Sequence, residues 1–297
     1  MERDPPPQVA DFIDTFSGRS GRDICENIFS RMHRSFLPYL KCPKSGEDLQ
    51  IKIITQEDGE FILEGMLSSS LYEYPIIRGI PRFVQLENYA ESFGTQWNRW
   101  PRLQFDSENI GKPMAGHTEK MFSRIIGKQI SELKNEVIVD VGCGPGRFID
   151  RALAGGAKVI GIDYSSAVEP AQKNFFKNPN VLIVQGDALQ LPIKENSING
   201  AFSIGVLHHT PRPEKGMIEI SKILKDGGWA AVCVYGKNGY YDSPRVTVWR
   251  KFLQCLKPVF GNLPPLIYSH FTTWIIYPLS FIPGLGLSLI HISEPTR

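Results

Sequence analysis

Glycines and carboxylates that follow apolar runs are the residues of this sequence best suited to chemistry. The segment Asp140–Phe148 reads Asp-Val-Gly-Cys-Gly-Pro-Gly-Arg-Phe and continues the apolar run that starts at Val137. Glycines after a strand allow a tight turn and let a ligand approach the main chain. Asp163 ends the next apolar run, about 20 positions after Gly142, which is the spacing of a carboxylate that accepts ribose hydroxyls. The pattern therefore indicates a site for a nucleoside cofactor.

The spacing of the glycines limits which nucleoside cofactor fits. A dinucleotide fingerprint is G-x-G-x-x-G, whereas this turn is G-x-G-x-G, so the sequence favours a cofactor without a pyrophosphate. Asp187 follows the third apolar run, where a carboxylate can accept a hydrogen bond from the adenine amino group. The alternative for Asp187 is that it caps the element that follows. A nicotinamide-dependent oxidoreductase is the second interpretation of the whole pattern.

Two adjacent histidines follow the fourth apolar run, over the crevice in which open α/β sheets bind ligands. Histidine titrates near neutrality, so His208 and His209 are candidate catalytic bases. In the alternative interpretation the pair shapes the acceptor loop through hydrogen bonds. Cys143 lies inside the glycine-rich turn, where a small residue is all that the turn requires, and we expect no reactive thiol there.

Five apolar runs alternate with helical stretches and must position these residues. Strand, helix and strand at this spacing predict an α/β fold, in which a parallel sheet carries helices on both faces. The carboxyl ends of parallel strands lie at one edge of a sheet, so the turn, the carboxylates and the histidines are expected to meet there. The runs cover residues 137–141, 159–162, 181–184, 201–206 and 229–235.

These segments, taken in order, resemble the class I S-adenosylmethionine-dependent methyltransferases over residues 93–236, and most closely the ubiquinone and menaquinone methylases. The resemblance implies a Rossmann-like sheet of seven strands, S-adenosylmethionine as the cofactor and methyl transfer as the reaction. Residues 93–97, Phe-Gly-Thr-Gln-Trp, are similar to the family's lid over the cofactor, with core packing of Trp97 as the alternative. The resemblance places Asp140, Gly142 and Gly144 at the methionine end, Asp163 at the ribose with Tyr164 beside it, Asp187 and Ala188 at the adenine, Gly205 near the sulfonium, and Trp97 in the lid.

A different pattern precedes these segments. Short β runs punctuated by glycine and proline over residues 38–84 predict a small β module. The segments Cys42–Gly46 and Tyr74–Pro81 resemble the small zinc-ribbon domain of a tRNA-methyltransferase activator. That family carries two C-x-x-C pairs, whereas here Ser45 takes the second place of the first pair, and serines 68–70 stand where the other pair would be. Zinc needs four good ligands, so we expect the shape of the module without the metal.

Composition and charge limit the partners. The chain has 297 residues and a formal net charge of +2, with no concentrated basic run, so a nucleic-acid partner is not expected. The cysteines are five in number and widely spaced, which favours a reducing compartment, and the first residues lack an apolar leader. We therefore expect a cytoplasmic protein. The apolar stretch 274–290 is interrupted by prolines and glycines, so we expect peripheral membrane contact through 264–285 rather than a span.

The expected reaction is direct in-line methyl transfer to a small molecule, a glycan or a lipid-linked acceptor. A cofactor-binding but inactive partner subunit is a further interpretation. The last residues resemble a non-native terminus, and the final strand pair of the sheet is expected to be missing. The expected divisions are a tail and helix (1–37), the zinc-ribbon-like module (38–84), the cofactor-binding domain (85–236), an apolar helical insertion (237–285) and the terminus (286–297).

Overall fold

The computed structural model describes residues 32–84, 94, 97–176 and 178–234. Within these residues the chain forms two five-stranded sheets, one antiparallel and one parallel. The antiparallel sheet contains β1 (Met32–His33), β2 (Gln50–Asp58), β3 (Phe61–Ser68), β4 (Glu73–Ile77) and β5 (Ile80–Pro81). The parallel sheet contains β6 (Val137–Val141), β7 (Lys158–Asp163), β8 (Val181–Gln185), β9 (Ile198–Ile204) and β10 (Leu224–Cys233).

The parallel sheet has the strand order β10-β9-β6-β7-β8. Its strands are the five apolar runs of the sequence, and β8 is buried along its whole length, as expected for strands covered on both faces. Val139 of β6 pairs with Ile160 of β7 on one side and with Ala201 of β9 on the other. The predicted Rossmann-like α/β sheet is confirmed.

Each face of the parallel sheet has its own hydrophobic core because successive side chains point to opposite faces. The helices are α1 (His117–Ile126), α2 (Arg147–Ala154), α3 (Val168–Phe175) and α4 (Pro213–Ile223). Ile138 and Val159 belong to the core that contains Phe122 of α1 and Phe148 of α2. Val139 belongs to the other core, which α4 and the antiparallel sheet share. Helices therefore cover both faces, and on one face the antiparallel sheet completes the cover.

The antiparallel sheet begins earlier than the sequence predicts. The helix expected up to Phe36 is absent there: Met32 and His33 pair with β3, and Arg34–Tyr39 is a short 3-10 helix. His33 caps that helix, since its Nδ1 accepts a hydrogen bond from the Ser35 N–H. Burial of Phe36 and the presence of Pro38, which has no N–H to donate, favour this short turn over a longer helix. Residues 1–31 lie outside the described part of the chain.

The loops at one end of the antiparallel sheet are joined by hydrogen bonds. Glu47 accepts from the Ser70 hydroxyl at 2.7 Å, from the Ser70 N–H at 3.1 Å and from the Ser45 hydroxyl at 3.0 Å. Cys42 Sγ lies 3.2 Å from Tyr74 Oη and accepts from the Ser45 N–H. Among the residues described, no group of three or more His, Cys, Asp or Glu side chains is arranged to hold a metal ion. The likeness to a zinc ribbon stays a prediction from the sequence.

The antiparallel sheet covers the outer edge of β8. Arg82 forms a parallel bridge with Gln185, and the Phe83 N–H donates to the Gln185 carbonyl at 2.8 Å. Nearby, Leu40 bridges to Ile193. An uncovered edge strand presents unpaired backbone groups, so this contact satisfies groups that would otherwise face solvent.

Several predicted features lie outside the described residues: the final strand pair, the insertion at 237–285 with its 264–285 segment, and the terminus at 286–297. In the part of the chain that the structure describes, the helices are all too short or too polar to cross a membrane.

Candidate functional site

The carboxyl ends of the parallel strands bring the predicted site residues to one edge of the sheet. Asp140 lies near the end of β6, Asp163 ends β7, and Gly205 directly follows β9. Asp187 lies two positions beyond the end of β8. The open edge of such a sheet, where the strand order reverses beside the first strand, is where α/β folds bind ligands.

The glycine-rich turn is fixed from two sides. The N–H groups of Gly142 and Cys143 donate to the Ile162 carbonyl at 2.7 and 3.0 Å, which holds the turn against β7. On the other side, a Cβ on Gly142 would lie 2.3 Å from Cγ1 of Val206. Gly142 also has φ +85°, a conformation that side-chain-bearing residues rarely adopt. Only glycine fits this position, and the turn leaves its backbone close to the ligand edge.

Asp163 holds the same turn through its carboxylate. Its Oδ2 accepts the Gly144 N–H at 2.9 Å, while its Oδ1 accepts the N–H and hydroxyl of Ser165 at 2.9 and 2.7 Å. Burial raises the pKa of Asp163, and the hydrogen bonds from Ser165 and Gly144 oppose that rise. A carboxylate offers about four lone-pair sites, so three donors leave capacity for a ligand hydroxyl.

Asp140 is the buried carboxylate of the site. Its side chain is 1% exposed, and its Oδ2 has no hydrogen-bond partner among the described residues. Burial, and then the charge of Asp163, raise the pKa of Asp140 well above its usual value, while the charge of Arg147 opposes the rise. A buried carboxylate oxygen without a donor is costly. Such groups concentrate at functional sites, and a cationic ligand group would supply the missing partner.

Asp187 has a structural role. Its Oδ1 accepts the Leu189 N–H at 2.8 Å, so the capping interpretation describes one of its oxygens. Burial, followed by the charge of Asp187, raises the pKa of Tyr164. Ala188 packs against the core that the two sheets share. This arrangement leaves the adenine role of Asp187 and Ala188 as a prediction.

The two histidines lie on a short 3-10 helix, Leu207–His209, that follows Gly205. Their ring centroids are 4.0 Å apart, and the His209 N–H donates to the Val206 carbonyl at 2.8 Å. Val206 also contacts Gly142, so the histidine turn begins against the glycine-rich turn. His208 and His209 therefore share the ligand edge with the carboxylates, and their role as bases stays a prediction.

Trp97 lies against the glycine-rich turn. Its Nε1 is 3.5 Å from the position that a Cβ on Gly144 would take. The neighbouring Asn98 side chain donates to the Ser166 carbonyl at 3.2 Å and ties this segment to the loop after β7. Phe93, Thr95 and Gln96 of the predicted lid lie outside the described residues. The position of Trp97 beside the turn is compatible with contact to the cofactor, and that contact stays a prediction.

Sequence reasoning missed three participants. Val206 closes the space beside Gly142, Ser165 saturates one oxygen of Asp163, and Arg147 carries the positive charge that opposes the pKa rise of Asp140. Arg147 could have been found from its place directly after the last glycine of the turn. The other two depend on packing between segments distant in sequence, and no local pattern marks them.

The chain is similar to known methyltransferases. Residues 139–232 match a family model described as a methyltransferase domain. An uncharacterized chloroplastic methyltransferase of Arabidopsis thaliana is 30% identical over 114 residues, which is 35% of this chain and 32% of that protein. Demethylmenaquinone methyltransferase of Staphylococcus carnosus is 28% identical over 153 residues, which is 48% of this chain and 61% of that protein.

A solved structure of phosphoethanolamine N-methyltransferase 2 of Haemonchus contortus, in complex with S-adenosylhomocysteine, is 21% identical. It has a TM-score of 0.43, and the likeness covers 60% of this chain and 43% of that one. The chain thus spans from about a third to about three fifths of the curated relatives described above. Over residues 139–232 it matches the methyltransferase domain family.

Proposed function

We propose that this protein is a methyltransferase that transfers a methyl group from S-adenosylmethionine to a small molecule, a glycan or a lipid-linked acceptor. One observation carries the proposal: the buried Oδ2 of Asp140, which has no hydrogen-bond partner within the described part of the chain, lies next to a glycine-rich turn that Asp163 holds in place. S-adenosylmethionine carries an ammonium group, which suits the buried carboxylate of Asp140, and ribose hydroxyls, which suit the remaining acceptor capacity of Asp163.

The residues present fit that cofactor. Asp140 would pair with the ammonium of the methionine part, and Gly142 and Gly144 would allow its close approach. Asp163 would accept a ribose hydroxyl, and Asp187 and Ala188 would meet the adenine. When bound, the cofactor supplies a methyl group that is already activated by its attachment to a sulfonium.

The chain itself has to position the acceptor and manage one proton. A hydroxyl acceptor loses a proton when it is methylated, and His208 and His209 are the titratable side chains of the fourth strand's loop that could take it. Alignment of the acceptor with the methyl group would lower the barrier by holding the reacting atoms at near-attack distance. Trp97, which lies beside Gly144, would exclude water from the turn.

A quinone-type ring is the first acceptor to test, because one matched relative is a demethylmenaquinone methyltransferase. The ubiquinone and menaquinone methylases are also the subgroup that the motifs resemble. A sugar hydroxyl is the second acceptor. The near-neutral net charge of +2 supports neither RNA nor DNA as the substrate. Segment 264–285 is apolar enough to contact a membrane surface that carries a lipid-linked acceptor.

The proposal is tested by calorimetric titration of the purified chain with S-adenosylhomocysteine, and with NAD in parallel. We expect S-adenosylhomocysteine to bind, NAD not to bind, and Asp163→Ala to weaken binding about tenfold or more. Asp48→Ala, which removes a 75% exposed carboxylate in the antiparallel sheet's loop, is the matched control and should bind normally. Binding of NAD alone would favour an oxidoreductase instead. Binding of S-adenosylhomocysteine without labelled methyl transfer to any quinone, sugar or lipid acceptor would indicate an inactive partner subunit.

A further inference from the structure

We propose that Arg82, on the antiparallel sheet, is a positioning residue for the cofactor site. In this inference, which rests on the proposed function, Arg82 sets the backbone of the ribose-side segment 163–165 without touching the ligand. The antiparallel sheet then has a second role besides covering the edge of β8.

The first path from Arg82 runs through Gln185. Arg82 Nη1 donates to Gln185 Oε1 at 2.8 Å, and Gln185 Nε2 donates to the Tyr164 carbonyl at 3.2 Å. The Arg82 side chain is 2% exposed and Gln185 is 1% exposed, so water does not compete with these bonds. Tyr164 lies between Asp163 and Ser165, whose side chains are bonded to each other. Movement of the Tyr164 carbonyl would therefore tilt the carboxylate of Asp163.

The second path runs through Glu169. Arg82 Nη2 donates to Glu169 Oε1 at 2.6 Å, and Arg78 contributes a weaker contact to the same carboxylate at 3.4 Å. Glu169 lies in the first turn of α3, the helix that follows the segment 163–165. One guanidinium therefore fixes both ends of the loop between β7 and α3.

Covering the edge of β8 does not require this side chain. The bond from the Phe83 N–H to the Gln185 carbonyl and the backbone bridge between residues 82 and 185 do that without it. Burying a guanidinium lowers stability unless the group is paired. Covering the edge of β8 therefore does not by itself explain a buried arginine that bonds to two separate acceptors. The planar fork of arginine suits two acceptors at once, which lysine does not.

The test measures the affinity for S-adenosylhomocysteine by calorimetry, well below the melting temperature of each variant. We expect Arg82→Ala and Gln185→Ala each to weaken binding about tenfold. We expect the double variant to bind no more weakly than Arg82→Ala alone, because Arg82→Ala already breaks the path through Gln185. Lys41→Ala is the matched control: Lys41 pairs with Glu195 across the same junction at 3.3 Å, and its removal should leave the affinity unchanged. Arg82→Lys should not restore binding.

The outcomes separate this inference from the proposed function. A wild-type chain that fails to bind S-adenosylhomocysteine overturns both. A wild-type chain that binds, with Arg82→Ala and Gln185→Ala binding equally well, overturns the positioning role alone, even if their melting temperatures fall. If Arg82→Ala does not fold, Gln185→Ala decides by itself, since it keeps the pair between Arg82 and Glu169.

Discussion

Gly142 packs directly against Val206, with 2.3 Å between Cγ1 of Val206 and the place where a Cβ on Gly142 would be. This contact joins the turn after β6 to the residue that precedes the histidine turn. Only the Val206 side chain therefore separates the predicted methionine end of the site from the predicted acceptor side. A substitution at either residue should therefore alter the packing of both turns.

Gly142→Ala should abolish binding of S-adenosylhomocysteine and lower the stability by about 2–4 kcal/mol, because overpacking against Val206 adds to a strained φ. Calorimetry and thermal unfolding measure the two effects. Gly111→Ala is the control: Gly111 also has a positive φ, +74°, but a Cβ there would meet nothing within 4 Å. It should cost about 1 kcal/mol and leave binding intact. Equal effects of the two substitutions would show that the contact with Val206 is unimportant.

Asp140→Asn should stabilise the ligand-free protein at neutral pH by about 1 kcal/mol. The same substitution should lower the affinity for S-adenosylhomocysteine about tenfold or more. The stabilisation follows from removing a buried charge whose Oδ2 has no partner among the described residues. The loss of affinity follows from removing the partner of the ligand's ammonium. Denaturant unfolding and calorimetry measure both. A variant that is less stable than wild type, or that binds as well, would contradict this assignment.

The stability of the ligand-free protein should fall as the pH rises from acid toward neutral. The unfolded chain releases the Asp140 proton near the usual pKa of 3.8, while the folded chain releases it at a higher pH because burial raises that pKa. Between these two pH values the folded state holds more protons, so its stability declines with rising pH. Asp163, whose pKa is also raised, acts in the same direction. In denaturant unfolding at several pH values, Asp140→Asn should show a smaller decline than wild type.

Chelators should leave the antiparallel sheet intact, because hydrogen bonds to Glu47 join its loops. EDTA should not shift the melting temperature, whereas Glu47→Gln should lower it by weakening the bonds from Ser70 and Ser45. These bonds lower the pKa of Glu47, so their contribution to stability is lost as the pH falls through that lowered value. Glu57→Gln, which alters an exposed ion pair of the same sheet with Arg34, is the control. Stoichiometric zinc in the purified protein would argue against a module without a metal.

The parallel sheet and most of the candidate site were predictable because both follow from local rules. Buried parallel strands are apolar throughout. Gly142 and Asp163 can be identified by their spacing after two such strands. The hydrogen bond from the Gly144 N–H to Asp163 was not predictable, since the sequence around a carboxylate at a strand end does not indicate which groups donate to it. Arg82 was missed because its partners, Gln185 and Glu169, come about a hundred residues later in the chain.

The core shared by the two sheets has a consequence for synthesis on the ribosome. Met32, Phe36 and Leu40 are buried with Val184 and Ile193. At a synthesis rate of about 5–20 residues per second, the first of these side chains emerges on the order of 10 s before the last. During that interval the nascent antiparallel sheet exposes apolar surface that only later residues can cover. We therefore expect the early part of the chain to be prone to aggregation until the later residues emerge.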